Sequence, residues 1–217
     1  MKRFDRPMLD FLSRQEIQDI IDAPATSTWS GHRDFVLLTT LYNTGARVSE
    51  IISLQIVHVK LAYGPIVCIN GKGRKRRSVP LWKTTAARLK EWLTHRAIPF
   101  ETPLFPNHMG KVMSRSGADD RLQIAVQKAQ TLCPSLNNRR ISPHTQRHTT
   151  AMHRLQSGVY ITVIALWLDH ESPVTTYGYV EADLTMKEQA LAKVDQISTK
   201  TVRYRPMEKL LASLESL

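Results

Sequence analysis

The chain has 217 residues, 42% of them apolar and 23% charged, enough to bury the core of one or two domains and unlike a disordered or fibrous composition. Thirty Lys and Arg against 19 Asp and Glu give a formal net charge of +11, which suits a polyanionic partner, nucleic acid first and an acidic membrane surface second. Cys68 and Cys133 are the only cysteines; they exclude a disulfide framework and a CxxC metal pair, and point to a reducing, cytoplasmic compartment. The opening MKRFDRPMLDFLSRQ is too polar for a signal peptide, and the longest apolar run, near 159–168, is too short to span a bilayer.

In chain order, Ser13-x-x-Glu16 is a capping box, with Ile17, Ile20 and Ile21 as an apolar stripe behind it. That helix should end near Pro24, before a polar loop over 25–31. Phe35, Leu38 and Tyr42 mark a core helix, stopped by Thr44-Gly45, and a short helix over 48–54 should follow. Segments 56–61, 65–70 and 76–81 are short, rich in β-branched residues and separated by glycine-containing turns, which predicts a small antiparallel sheet. The helical period returns with Ala86, Leu89, Trp92 and Leu93, and again over 114–130. Ser142-Pro143 is a strong helix start, and Gly158 is placed to stop that helix. Ile161, Ile164, Ala165 and Leu168 form the next buried stripe. Ser172-Pro173 opens a short helix toward Tyr179, a further helix spans 184–194, and a polar linker over 198–206 leads to an amphipathic helix over 207–217. The fold class expected is α+β, mostly helical, with one three-stranded antiparallel sheet.

Several residues could carry chemistry. With Ser142 as N-cap, His144 and Arg147 share one face at a helix N-terminus, where free N–H groups and the helix dipole favour an anion. Arginine matches phosphate oxygens with a planar fork, and histidine titrates near neutrality. A metal pair of His144 with His148 is another reading of the same helix, though no acidic or cysteine partner lies nearby. Arg47 follows a turn glycine and precedes a helix, with Glu50 one turn on to orient it. GKGRKRRSVPL (71–81) places five cations, Lys72, Arg74, Lys75, Arg76 and Arg77, at a turn between two strands, a candidate DNA contact. It matches neither GxxxxGK[ST] nor GxGxxG, so no nucleotide site is expected. Tyr179 is a weak nucleophile at neutral pH unless cations and a base assist it.

Together, the order Arg47, Lys72, His144-x-x-Arg147, His170, Tyr179 resembles the tyrosine recombinase (phage integrase) family, and the later segment looks most like its transposon- and plasmid-associated members. The likeness runs through LYNTGARVSEIISL (41–54), GKGRKRRSVPL, SPHTQRHTTAMHRL and LWLDHESPVTTYGYVEAD. It implies the catalytic-domain fold of that family over 1–197 and DNA strand cleavage and rejoining through a 3′-phosphotyrosyl link. Arg47 and Arg147 would bind the scissile phosphate, and Lys72 would protonate the leaving 5′-hydroxyl. His144 would act as acid and base toward the tyrosine, His170 would hydrogen-bond the phosphate, Glu50 would support Arg47, and Tyr179 would attack. No cofactor or metal is implied; the partners are double-stranded DNA and further copies of the chain, a homo-tetramer on DNA. Residues 198–217 would form a linker and a helix exchanged between protomers.

The chain also departs from the family pattern. Asp169 stands where the family usually has the glycine of Leu-Gly-His; it should strain a left-handed turn, and its carboxylate should repel a phosphate and lower activity. Gln146 replaces a residue that is usually apolar. The catalytic pattern starts almost at Met1, so the family's N-terminal clamp domain is expected to be absent, at a cost to affinity and site choice. Tyr177 and Lys75 are rivals to Tyr179 and Lys72. Two other activities stay open at this point: a non-catalytic or weakly active DNA-binding remnant that modulates a full-length recombinase, and a type IB topoisomerase-like activity.

Overall fold

Ser13 opens the first helix in the computed structural model, which describes residues 11–71, 75–94 and 99–170. Its hydroxyl accepts from the Glu16 amide at 3.2 Å, and the Glu16 carboxylate accepts from the Ser13 amide at 2.7 Å. This closes the expected capping box at the head of α1 (Arg14–Asp22), whose Ile17, Ile20 and Ile21 are buried. Glu16 also accepts from Ser135 at 2.6 Å and Arg139 at 2.8 Å, and Arg139 donates to the Phe11 carbonyl. Burial opposes ionisation of Glu16, but the bonds from Ser135, the Ser13 backbone and Arg139 outweigh it and hold its pKa down to about 2. One carboxylate therefore caps a helix and ties it to a segment more than 100 residues away.

The central helix α2 (Trp29–Thr44) packs against α1, α4 (Lys83–Thr94) and α6 (Pro143–Gln156). It starts inside the loop expected over 25–31, because Thr28 caps it by accepting from the Gly31 amide at 3.1 Å. Val36, Leu37, Leu38 and Leu41 are its buried face, with Phe35 and Tyr42 half-buried beside them. Gly45 ends it with φ +60, and a Cβ there would stand 2.6 Å from Leu168 and 3.0 Å from Thr150. Only glycine meets both demands, so the turn before Arg47 can lie directly against α6 and α7 (Ile161–Leu168). The short α3 (Val48–Ile52) and the long α5 (Arg115–Gln130), capped by Ser114, complete the helices expected before residue 171.

The sheet is antiparallel in the order β1 (Val59–Lys60), β2 (Ile66–Asn70), β3 (Arg76–Pro80). The first strand is shorter than predicted: Ile56–His58 forms a 3-10 turn instead. The amides of Ile56 and Val57 donate to the Thr102 and Phe100 carbonyls, which removes them from the ladder with β2, and the Gln55 amide donates to His58 Nδ1 at 3.0 Å. The segment they join carries Leu104 and Phe105, both fully buried, without any periodicity to announce it. Arg33, itself buried, ties α2 to the same segment through the Pro106 carbonyl at 3.1 Å.

All described residues belong to one compact unit, and none of their helices is long and apolar enough to cross a membrane. The elements predicted beyond residue 170, including those over 184–194 and 207–217, lie outside the described residues.

Gln146 is 1% exposed, and neither its side-chain oxygen nor its nitrogen has a hydrogen-bond partner. A buried amide left so costs roughly 1–3 kcal/mol. Replacing it with methionine, of similar length and unbranched, is expected to stabilise the fold by about 1 kcal/mol or more. A raised urea midpoint with an unchanged slope is the expected result; a lowered midpoint would show that the amide is satisfied in solution.

Candidate active site

α7 ends in a Schellman turn. The His170 amide donates to the Ala165 carbonyl at 3.0 Å and the Asp169 amide to the Leu166 carbonyl at 3.3 Å. Asp169 occupies the left-handed position, with φ 54 and ψ 49. The turn expected for glycine is therefore formed with aspartate, one of the few residues that tolerates it, at a strain of roughly 1 kcal/mol.

The next three carbonyls, which no turn of helix can satisfy, are each met by an arginine from a different element. Arg77 on β3 donates to the Trp167 carbonyl at 3.2 Å. Arg147 on α6 donates to the Leu168 carbonyl at 2.6 Å, and Arg47, just before α3, to the Asp169 carbonyl at 3.4 Å. Cations there also oppose the negative end of the helix dipole. Arg147 is buried and reaches the Gly45 carbonyl at 2.7 Å with its other terminal nitrogen, so it pins both the turn before Arg47 and the turn before His170.

Glu50 holds the other side of the cluster. One carboxylate oxygen accepts from the Arg47 amide at 2.9 Å and from Arg77 at 2.7 Å; the other accepts from the Arg47 and Arg77 guanidiniums at 3.1 and 3.3 Å. Burial alone would raise its pKa, but the bonds from Arg77 and Arg47 hold it below the usual carboxylate value. The Asp169 carboxylate lies 3.7 Å from both Arg47 and Arg77. It is therefore balanced in place by two guanidiniums, partners that its sequence position alone does not reveal.

The sequence-predicted residues divide accordingly. Arg47, Glu50, Arg147 and His170 come together. His144 stands exposed in the first turn of α6, which Ser142 caps. His148, one turn further, is half-buried; burial lowers its pKa first, then the charges of His144 and Arg147. Among the described residues, no cluster of three His, Cys, Asp or Glu is arranged to hold a metal, so the His144–His148 pair finds no third ligand there. Lys75 and Arg76 are exposed, as a DNA contact requires. Arg77 is different: only 13% of its side chain is exposed, and it is spent on Glu50 and α7. The alternation along β3 contained the signal, because Arg77 shares its face with buried Val79. Lys72, Arg74, Tyr177 and Tyr179 lie outside the described residues; the Gly71 amide donates to the Lys75 carbonyl at 2.7 Å.

The phage integrase family model matches residues 10–186. The chain belongs to the phage integrase family. A relative in Sinorhizobium fredii, named as an integrase/recombinase, y4rC, is 44% identical over 216 residues, covering 100% of this chain and 65% of that protein. Tyrosine recombinase XerC of Thermodesulfovibrio yellowstonii is 33% identical over 190 residues, covering 84% of this chain and 61% of that one. This integrase-family chain thus spans less than two thirds of the length of the relatives it matches, from 65% down to 56%. Its fold matches the XerH site-specific recombinase bound to palindromic difH substrate, with TM-score 0.72 and 25% identity over 86% of this chain and 53% of that one. It also matches XerA recombinase, with TM-score 0.73 and 24% identity over 91% and 68%. The mostly helical α+β fold with a small sheet is the catalytic-domain fold of this family.

His170 gives the site a pH signature. Burial, then the charges of Arg147, Arg47 and His148, lower its pKa from 6.5 to about 4, against a smaller opposing pull from Asp169. An unfolded histidine takes up a proton near pH 6.5, which folded His170 refuses until about pH 4. Its contribution to stability is complete above pH 6.5 and is lost as pH falls through that window. In His170→Gln, urea midpoints between pH 6.5 and 4 are expected to fall less steeply than in the wild type; identical slopes would refute the shift.

Proposed function

We propose that this chain is the catalytic part of a site-specific DNA recombinase that cuts and rejoins double-stranded DNA through a 3′-phosphotyrosyl intermediate. The observation that carries this reading is the meeting of Arg47, Arg147 and His170, from three distant segments, around one turn. Family membership gives that meeting its chemistry.

Arg47, whose side chain is 36% exposed and whose bond to the end of α7 is the longest of the three, can give up that bond for a phosphate oxygen while Glu50 continues to hold it. Together with Arg147 it stabilises the charge of a pentacoordinate phosphorus. The Tyr179 oxygen attacks phosphorus and gives its proton to His144; the bond to the 5′-oxygen breaks, and Lys72 protonates that oxygen to give the free 5′-hydroxyl. His170, neutral at pH 7, hydrogen-bonds the phosphate. One P–O ester bond replaces another, so a 5′-hydroxyl from a second strand reverses the step without nucleotide, metal or water. Exposed Lys75 and Arg76, with Arg74 beside them in sequence, contact the DNA backbone. The protein acts as a homo-tetramer on DNA, with residues 198–217 docking on a neighbouring protomer.

On a nicked duplex carrying a recombination site from the element that encodes this chain, wild type is expected to give a covalent protein–DNA band on a denaturing gel, and Tyr179→Phe none. A band from neither, or from both, would overturn the assignment. Asp169→Gly removes a counter-ion that competes for Arg47, a contact worth up to about 1 kcal/mol, so the yield should rise roughly two- to five-fold. A fall in yield would make the Asp169 carboxylate an asset to the site.

A further inference from the structure

We propose that Arg77 is a positioning residue, which holds Arg47 and the turn before His170 in register for strand cleavage and does not bind the DNA backbone. The proposal rests on the strand-cleavage reading above. Its basis is geometric. β3 pairs with β2 so that Arg77 faces Ile69 and Val79 faces Val67, and those three partners are 0–1% exposed. The strand thus directs Arg77 toward the core side, while Arg76 and Ser78 face solvent.

There the Arg77 guanidinium makes a two-pronged contact with Glu50, at 2.7 and 3.3 Å, and donates through Nε to the Trp167 carbonyl at 3.2 Å. Both of its terminal nitrogens and Nε are engaged, and lysine could not copy the fork. Glu50, 6% exposed, in turn fixes Arg47 through that residue's own amide and guanidinium. Remove Arg77, and a buried carboxylate keeps one cation, itself partly exposed, while the end of α7 loses one of three anchors. Arg47 and His170 then lose their shared frame. No contact to the reacting atoms is required of Arg77.

The test compares wild type, Arg77→Lys and Arg77→Gln in the full chain. Three quantities are measured: affinity for a short duplex as a function of salt, the single-turnover rate of covalent-complex formation at saturating DNA, and hydrogen exchange of the Arg47 and His170 amides. Arg77→Gln is expected to keep the wild-type salt dependence and an affinity within about two-fold. Its rate at saturation should fall roughly 10- to 100-fold, the scale of a small misplacement of reacting groups. Exchange at Arg47 and His170 should accelerate while amides in α5 stay protected. Arg77→Lys should fall between the two.

A salt slope reduced by about one with the saturated rate intact would overturn the proposal in favour of a phosphate contact. So would wild-type rates in Arg77→Lys, or unchanged exchange at both amides in Arg77→Gln. If Arg77→Gln does not fold, Arg77→Lys decides by the same rate and exchange measurements. If wild type forms no covalent complex, the strand-cleavage reading falls by itself, and accelerated or unchanged exchange at the two amides still decides for or against Arg77 as an anchor.

Discussion

Three arginines on three consecutive carbonyls are the constraint on which the rest of this site depends. A helix that stops in the open leaves its last carbonyls to water. Here the end of α7 is enclosed by β3, α6 and the turn before α3, so each carbonyl needs a protein donor, and Arg77, Arg147 and Arg47 supply one each. Three cations so close would repel one another without Glu50 and Asp169 among them. Three guanidiniums against two carboxylates leave one positive charge in excess, which suits the proposed binding of a phosphodiester, itself a single negative charge.

The arrangement also separates rigidity from availability. Arg147 is buried and makes the shortest bonds, to Gly45 and Leu168, so it links two segments before it meets any substrate. Arg47 is the most exposed and the most loosely held. Gly45 makes the arrangement possible, because a side chain there would push α2 away from Leu168. Loss of Arg147 should therefore cost the fold more than loss of Arg47.

Much of the architecture was legible from local rules. Ser13 with Glu16, Ser114, Ser142-Pro143 and Gly45 gave helix boundaries because capping is a short-range matter of a few atoms. The beginning of the first strand was not legible, because the amides of Ile56 and Val57 are claimed by carbonyls more than 40 residues away. Leu104 and Phe105 were hidden for a related reason: an irregular segment can bury side chains without a period. In the site, Arg47, Arg147 and His170 were readable only as a set. Arg77 was read as one more cation in a basic turn; its bonds to Glu50 and the Trp167 carbonyl follow from strand phase, which a count of charges does not see. Asp169 does occupy a left-handed turn, and its two arginine partners could not be read locally because both are distant in sequence.

Gly71 carries one more implication. A Cβ on it would lie 2.5 Å from an Asp169 carboxylate oxygen. The hairpin and the end of α7 therefore divide one small volume between them, and whatever one gains in bulk the other must yield. Positions 71 and 169 are epistatic: an alanine at 71, harmless in a chain with glycine at 169, would here evict a carboxylate from between two arginines. The Asp169 carboxylate keeps its place between the two arginines while the hairpin stays bare at that point.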